Sequence, residues 1–85
     1  MNLDKELRAL VDDTLNLGGR AAAFGTDSPL LGAVPELDSM GVVNLLTAME
    51  ERLGLLVDDD EIDASIFRTW GSLFDFVSGK MKGGA

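Results

Sequence analysis

Residues 36–46 read Glu-Leu-Asp-Ser-Met-Gly-Val-Val-Asn-Leu-Leu, and they mark the point where an irregular segment turns into an amphipathic helix. Asp38 is placed to cap that helix by accepting hydrogen bonds from its first free backbone N–H groups. Ser39 then falls in the first turn, where those N–H groups and the helix dipole favour negative charge. A phosphate ester on the Ser39 hydroxyl is therefore electrostatically favoured, and the stretch reads as a scaffold for something carried on one serine. The spacing predicts a helix over residues 39–53. Val42, Leu45, Leu46, Met49 and Leu53 form its buried stripe, and Asn44, Thr47, Glu50, Glu51 and Arg52 face outward. Gly54 stops it, and Val43 lies at the edge of the stripe.

Upstream, Asn2 is placed to cap a first helix with Leu3, Leu7, Leu10, Val11 and Leu15 at helical spacing. Gly18-Gly19 is expected to end it. From Gly18 to Leu37 the chain holds Gly18, Gly19, Gly25, Pro29, Gly32 and Pro35, and no period survives that punctuation. So long a loop in so small a domain needs a reason; Leu30, Leu31 and Val34 are expected to pin it to the core. Downstream, Leu55-Leu56-Val57 reads as an extended connector packed into the core. Asp58 or Asp59 should cap a short third helix with Ile62 and Ile66 inward. Thr69 should cap a fourth from Trp70 to about Ser78, with Trp70, Leu73, Phe74 and Val77 on one face. Gly79 closes it, and residues 80–85 read as a flexible C-terminal tail. The expectation is one all-α domain over residues 1–79, a bundle of three longer helices and one short third helix. It has no internal repeat and no strand hairpin.

Eighty-five residues at 46% hydrophobic content suffice for one small core. The chain lacks cysteine, histidine and tyrosine. Without cysteine there is no disulfide or thiolate metal site, which suits a reducing cytoplasm. Without histidine the commonest general base and transition-metal ligand are missing. These absences point to a binding or carrier module rather than an enzyme. The net charge of −8 would repel nucleic acid and anionic membranes. Nine acids (Glu36, Asp38, Glu50, Glu51, Asp58, Asp59, Asp60, Glu61, Asp63) face one base, Arg52, within residues 36–63. They form either a solvated face or a docking surface for enzymes with basic patches. The charged N-terminus does not resemble a signal peptide, and no apolar run reaches membrane-spanning length. A soluble cytoplasmic protein is expected.

Other candidate chemistry is weaker. Asp27-Ser28 repeats the Asp-Ser pair, but Pro29 follows it and Ser28 reads as a turn residue. Ser39 is no self-contained nucleophile, because no histidine can take its proton and no Gly-x-Ser-x-Gly is present. The acidic run 58–63 fails as a calcium loop, with Asp63 where glycine is needed and Thr69 where the bidentate glutamate belongs. It reads better as an acidic helix start, leaving weak divalent binding open. Phe67, Trp70, Phe74 and Phe76 read as core rather than a ligand box.

At Leu37-Asp38-Ser39-Met40 the chain resembles the acyl carrier protein family, over about residues 3–78. The family signature is Asp-Ser-Leu at the start of the second helix, with Met40 here replacing the leucine. The first helix, the long loop, the Ala48-Met49-Glu50-Glu51-Arg52-Leu53 helix end and the acidic opening of the third helix support the likeness. The resemblance implies a four-helix carrier domain that is inactive alone. It implies that a phosphopantetheinyl transferase attaches 4′-phosphopantetheine to Ser39, with Asp38 helping to bind transferase and metal. The arm's thiol would carry acyl groups as thioesters among an acyl-loading ligase or transferase and acyl-processing enzymes. Met40, Val43, Asn44, Thr47, Glu50 and Glu51 on the second helix would meet partners. Val42, Leu45, Leu46, Met49, Ile62 and Leu73 would line an acyl pocket, each being core by default. A monomer is expected. Many members carry acids two and five residues after the serine, whereas this chain has Gly41 and Asn44, which suggests a specialised stand-alone carrier in fatty-acid, polyketide or related biosynthesis. An aminoacyl or peptidyl carrier, or a non-catalytic acidic helical interaction adaptor, remains an alternative.

Overall fold

The Asn2 side chain accepts a hydrogen bond from the Lys5 N–H at 3.2 Å and opens helix α1 (Leu3–Leu15) in the computed structural model, which describes residues 2–83. Leu7, Leu10, Val11 and Leu15 form its buried face. The helix ends before Gly18-Gly19, because Asn16 itself takes the left-handed conformation (φ 61°), which asparagine tolerates better than most residues. The two glycines, both at positive φ, instead carry the chain around the helix end. The Asp12 carboxylate accepts from the Gly19 N–H at 2.9 and 3.0 Å and the Ala21 N–H at 3.1 Å. A 3₁₀ turn, Arg20–Ala23, follows.

The rest of the long loop is anchored by its backbone. Trp70 N–H donates to Ser28 O and Gly71 N–H to Thr26 O, while Leu30 and Leu31 N–H donate to Arg68 O and Phe67 O. Gly71 allows the close approach, since a Cβ there would lie 2.6 Å from Thr26 Cγ2 and 2.7 Å from Thr26 O. Leu30 and Val34 are buried as expected, but Leu31 is exposed. Its position is set by the backbone bond to Phe67, which leaves the side chain facing solvent.

Helix α2 occupies Ser39–Leu53, with Gly54 closing it at φ 71°. Leu45 and Met49 are buried in the core with Leu7, Leu10, Leu73 and Val77, and Val42, Leu46 and Leu53 pack partly against them. The connector alternates, as an extended chain must. Leu55 is buried, Val57 is half-buried, and Leu56 is 83% exposed rather than packed inward.

The expected short third helix resolves into two 3₁₀ turns, Asp59–Glu61 and Ala64–Phe67. Asp63, not Asp58 or Asp59, caps the second, accepting from Ser65 N–H at 3.2 Å. Glu61 likewise accepts from the Asp58 N–H at 2.9 Å; local side-chain bonds of this kind compete with a sustained helix, and the run is too short to offset nucleation. Ile66 is buried and Ile62 half-buried.

Helix α3 (Trp70–Gly83) starts with a reciprocal cap. Ser72 N–H donates to Thr69 Oγ1 and Thr69 N–H to Ser72 Oγ, both at 3.1 Å. Gly79 does not end it, and residues 80–83 expected in the tail are helical; residues 84–85 lie outside the described residues. An interior glycine costs only about 1 kcal/mol, and the Lys80–Glu61 ion pair ties the last turns back. Lys80, and then the Asp58 N–H, hold the Glu61 carboxyl below its usual range. A lowered folded-state pKa gives stability that is full above the ordinary glutamate range and lost as pH falls through the lowered value. Acidification through that value is expected to speed amide exchange in residues 80–83 before the core opens. Phe67 and Trp70 are buried and Phe74 and Phe76 partly so. The Arg8 guanidinium lies 4.8 Å over the Trp70 ring.

Candidate functional site

The approach to Ser39 is fixed residue by residue. Leu37 is buried and its N–H donates to Val34 O at 2.9 Å. Asp38 follows in extended conformation, and its carboxylate accepts from the Gly41 N–H at 2.8 Å. Its carbonyl accepts from the Val42 N–H at 2.9 Å. Ser39 is thus the first helical residue and is exposed. The N–H groups of a helix's first turn have no partner within the helix and carry the positive end of its dipole. The Asp38 carboxylate, held in place by its cap, adds an anchored acid beside the serine.

Gly41 contributes something composition did not disclose. It is buried, and a Cβ on it would stand 2.5 Å from the Glu36 backbone oxygen and 3.2 Å from Leu15 Cδ2. The loop backbone therefore lies directly against the first turn of α2, at a distance only glycine permits. A glycine inside a helix start, where it costs helix stability, was the available signal.

Met40, Val43, Asn44, Thr47, Glu50 and Glu51 are all exposed. Their spacing of three and four places them on a continuous outer face of α2. The face is apolar beside Ser39, where Met40 is 65% and Val43 54% exposed, and acidic at its far end. Of the six residues named for a pocket, Leu45, Met49 and Leu73 lie in the core, while Val42, Leu46 and Ile62 are half-buried. No described helix is long and apolar enough to cross a membrane.

Ser39 is thus an exposed serine at the head of the second α-helix of a small helical domain. Among solved structures the chain is similar to a holo acyl carrier protein from Nitrosomonas europaea, determined by solution NMR. The two share 49% sequence identity and a TM-score of 0.85, over 96% of this chain and 99% of the other. The chain belongs to the acyl carrier protein family. Neither a family model nor a curated protein matches it.

Proposed function

We propose that this chain carries acyl groups on a 4′-phosphopantetheine arm esterified to Ser39. The observation that supports it is the exposed Ser39 at the Asp38-capped start of α2. Ser39 Oγ would bear the phosphodiester, and the free N–H groups of the first turn would face its negative charge. The arm's thiol would supply the thioester chemistry that a chain without cysteine cannot. Asp38 holds the first turn and offers its carboxylate to a phosphopantetheinyl transferase and its metal. The outer face of α2, from Met40 to Glu51, would receive that transferase, an acyl-loading enzyme and acyl-processing enzymes in turn. Val42, Leu45, Leu46, Met49, Ile62 and Leu73 are the residues that would part to shelter cargo.

Gly41 and Asn44 leave the serine-proximal face uncharged, so partners would read it by shape more than charge. That favours a specialised monomeric carrier, in the cytoplasm, over the housekeeping carrier of fatty-acid synthesis. Full-rate elongation of acyl groups on this protein by housekeeping ketoacyl synthases would refute the specialised role.

Incubation with coenzyme A and a broad-specificity phosphopantetheinyl transferase should raise the intact mass by one arm. A protein that gains nothing from any such transferase would point instead to an interaction adaptor. Asp38→Ala is expected to cost about 0.5–2 kcal/mol of stability, as a lost cap does, while reducing the priming rate far more than that loss explains. Priming that declines only in step with the folded fraction would reduce Asp38 to a cap.

A further inference from the structure

We propose that Arg20 is a positioning residue for Ser39: its pairing with Glu36 holds the approach to α2 in the arrangement a priming enzyme docks on. The inference rests on the reading of Ser39 given above. It starts from Asp12, whose carboxylate gathers the Gly19 and Ala21 N–H groups and so fixes the turn between them. Arg20 projects from that turn. Its Nε donates to Leu17 O at 3.0 Å, and its other end pairs with Glu36 Oε2. A residue 16 positions upstream thereby clasps the segment that leads into the serine.

Glu36 is the point where the clasp meets the site. Its Oε1 is buried and accepts no hydrogen bond among the described residues. Its backbone oxygen forms the surface against which Gly41 packs without a side chain. Leu37, next in the chain, is buried, and Ser39 follows two residues later. Without Arg20 the Glu36 carboxylate keeps one oxygen out of water and loses the partner of the other. The Glu36 side chain is 35% exposed, so water replaces Arg20 at Oε2 and nothing then holds the carboxylate in one orientation. The carbonyl under Gly41 loses that restraint too, and the first turn of α2 loses the fixed surface that sets its entry angle.

A docking enzyme sees only the fraction of molecules whose approach segment is in place, so its apparent affinity falls by that fraction. Arg20→Ala is expected to raise the KM for this protein about two- to fivefold in priming by a broad-specificity transferase. The kcat stays unchanged, because the chemistry at Ser39 Oγ is untouched. The double variant Arg20→Glu, Glu36→Arg restores the pair with its ends exchanged and should return KM to the wild-type value. Amide NMR shifts of residues 36–41 in the unprimed protein should move in the single variant and return in the double. A single variant primed with wild-type KM overturns the proposal. So does a double variant as poor as the single, since Arg20 would then touch the transferase itself. Wild-type protein that takes no arm at all overturns the reading of Ser39 rather than the clasp alone.

Discussion

Ser39→Ala is expected to abolish priming outright while leaving stability within about 0.5 kcal/mol of wild type. The serine is exposed, and the cap of α2 is the Asp38 side chain rather than the Ser39 hydroxyl. Alanine is also the best helix former. Loss of priming therefore cannot be ascribed to loss of fold. Among the described residues no other hydroxyl directly follows a capping aspartate at the head of an α-helix; Ser65 lies in the short 3₁₀ turn Ala64–Phe67. Ser28 follows an aspartate too, but its Oγ accepts from the Gly25 N–H at 2.8 Å and it sits in a turn before Pro29. Thr69 and Ser72 are engaged in the cap of α3, and Thr47 lies in mid-helix. Intact mass before and after incubation, with a thermal melt of the same sample, checks both halves. A variant that still gains the arm would move the site elsewhere.

Gly41→Glu, which would restore an acid common in related carriers, is expected to destabilise the protein by about 3 kcal/mol or more. Even a methyl group at this position would stand 2.5 Å from the Glu36 backbone oxygen. Backbone cannot swing aside as a flexible side chain can, and overpacking of this kind costs about 1–3 kcal/mol. Forcing a carboxylate toward a carbonyl oxygen in a buried position adds to that cost. The better helix propensity of glutamate returns only about 1 kcal/mol. In a domain of this size each kcal/mol shifts Tm by about 4–8 °C, so the melt should fall by about 10 °C or more. Asn44→Glu, on the exposed face of the same helix, should change stability by about 0.5 kcal/mol at most. Equal melting temperatures for the two variants would show that Gly41 has room. The neutral pair thus has two origins: at position 41 the packing forbids an acid, whereas at position 44 nothing does.

Helix α2 was legible to its ends because its signals are local. Asp38 and Gly54 act on backbone groups within one turn of themselves, and the apolar stripe repeats on the helical period. Where sequence reading failed, the deciding contact came from far along the chain or from an unusual dihedral. Asn16 ended α1 by adopting a conformation expected of Gly18. Gly79 did not end α3, because Lys80 reaches Glu61 across the fold. Leu31 and Leu56 face solvent because a backbone bond in one case and strand-like alternation in the other set their direction, which hydrophobicity alone does not reveal. In the acidic run 58–63, Glu61 accepts from the Asp58 N–H and Asp63 from the Ser65 N–H, local bonds that compete with a sustained helix. At the site, Asp38 and Ser39 were readable from capping rules. The roles of Gly41, Glu36 and Arg20 were not, since they depend on the loop backbone lying against α2.

The most direct measurement is the position of the arm within the primed protein. Trypsin releases residues 21–52 as one peptide, because no lysine or arginine interrupts them before Arg52. That peptide holds Thr26, Ser28, Ser39 and Thr47 together, so fragmentation in the mass spectrometer compares the candidates in a single molecule. The added mass is expected wholly on Ser39. An arm found on Ser28 or either threonine, or a peptide that stays bare while the intact protein gains mass, would contradict the assignment.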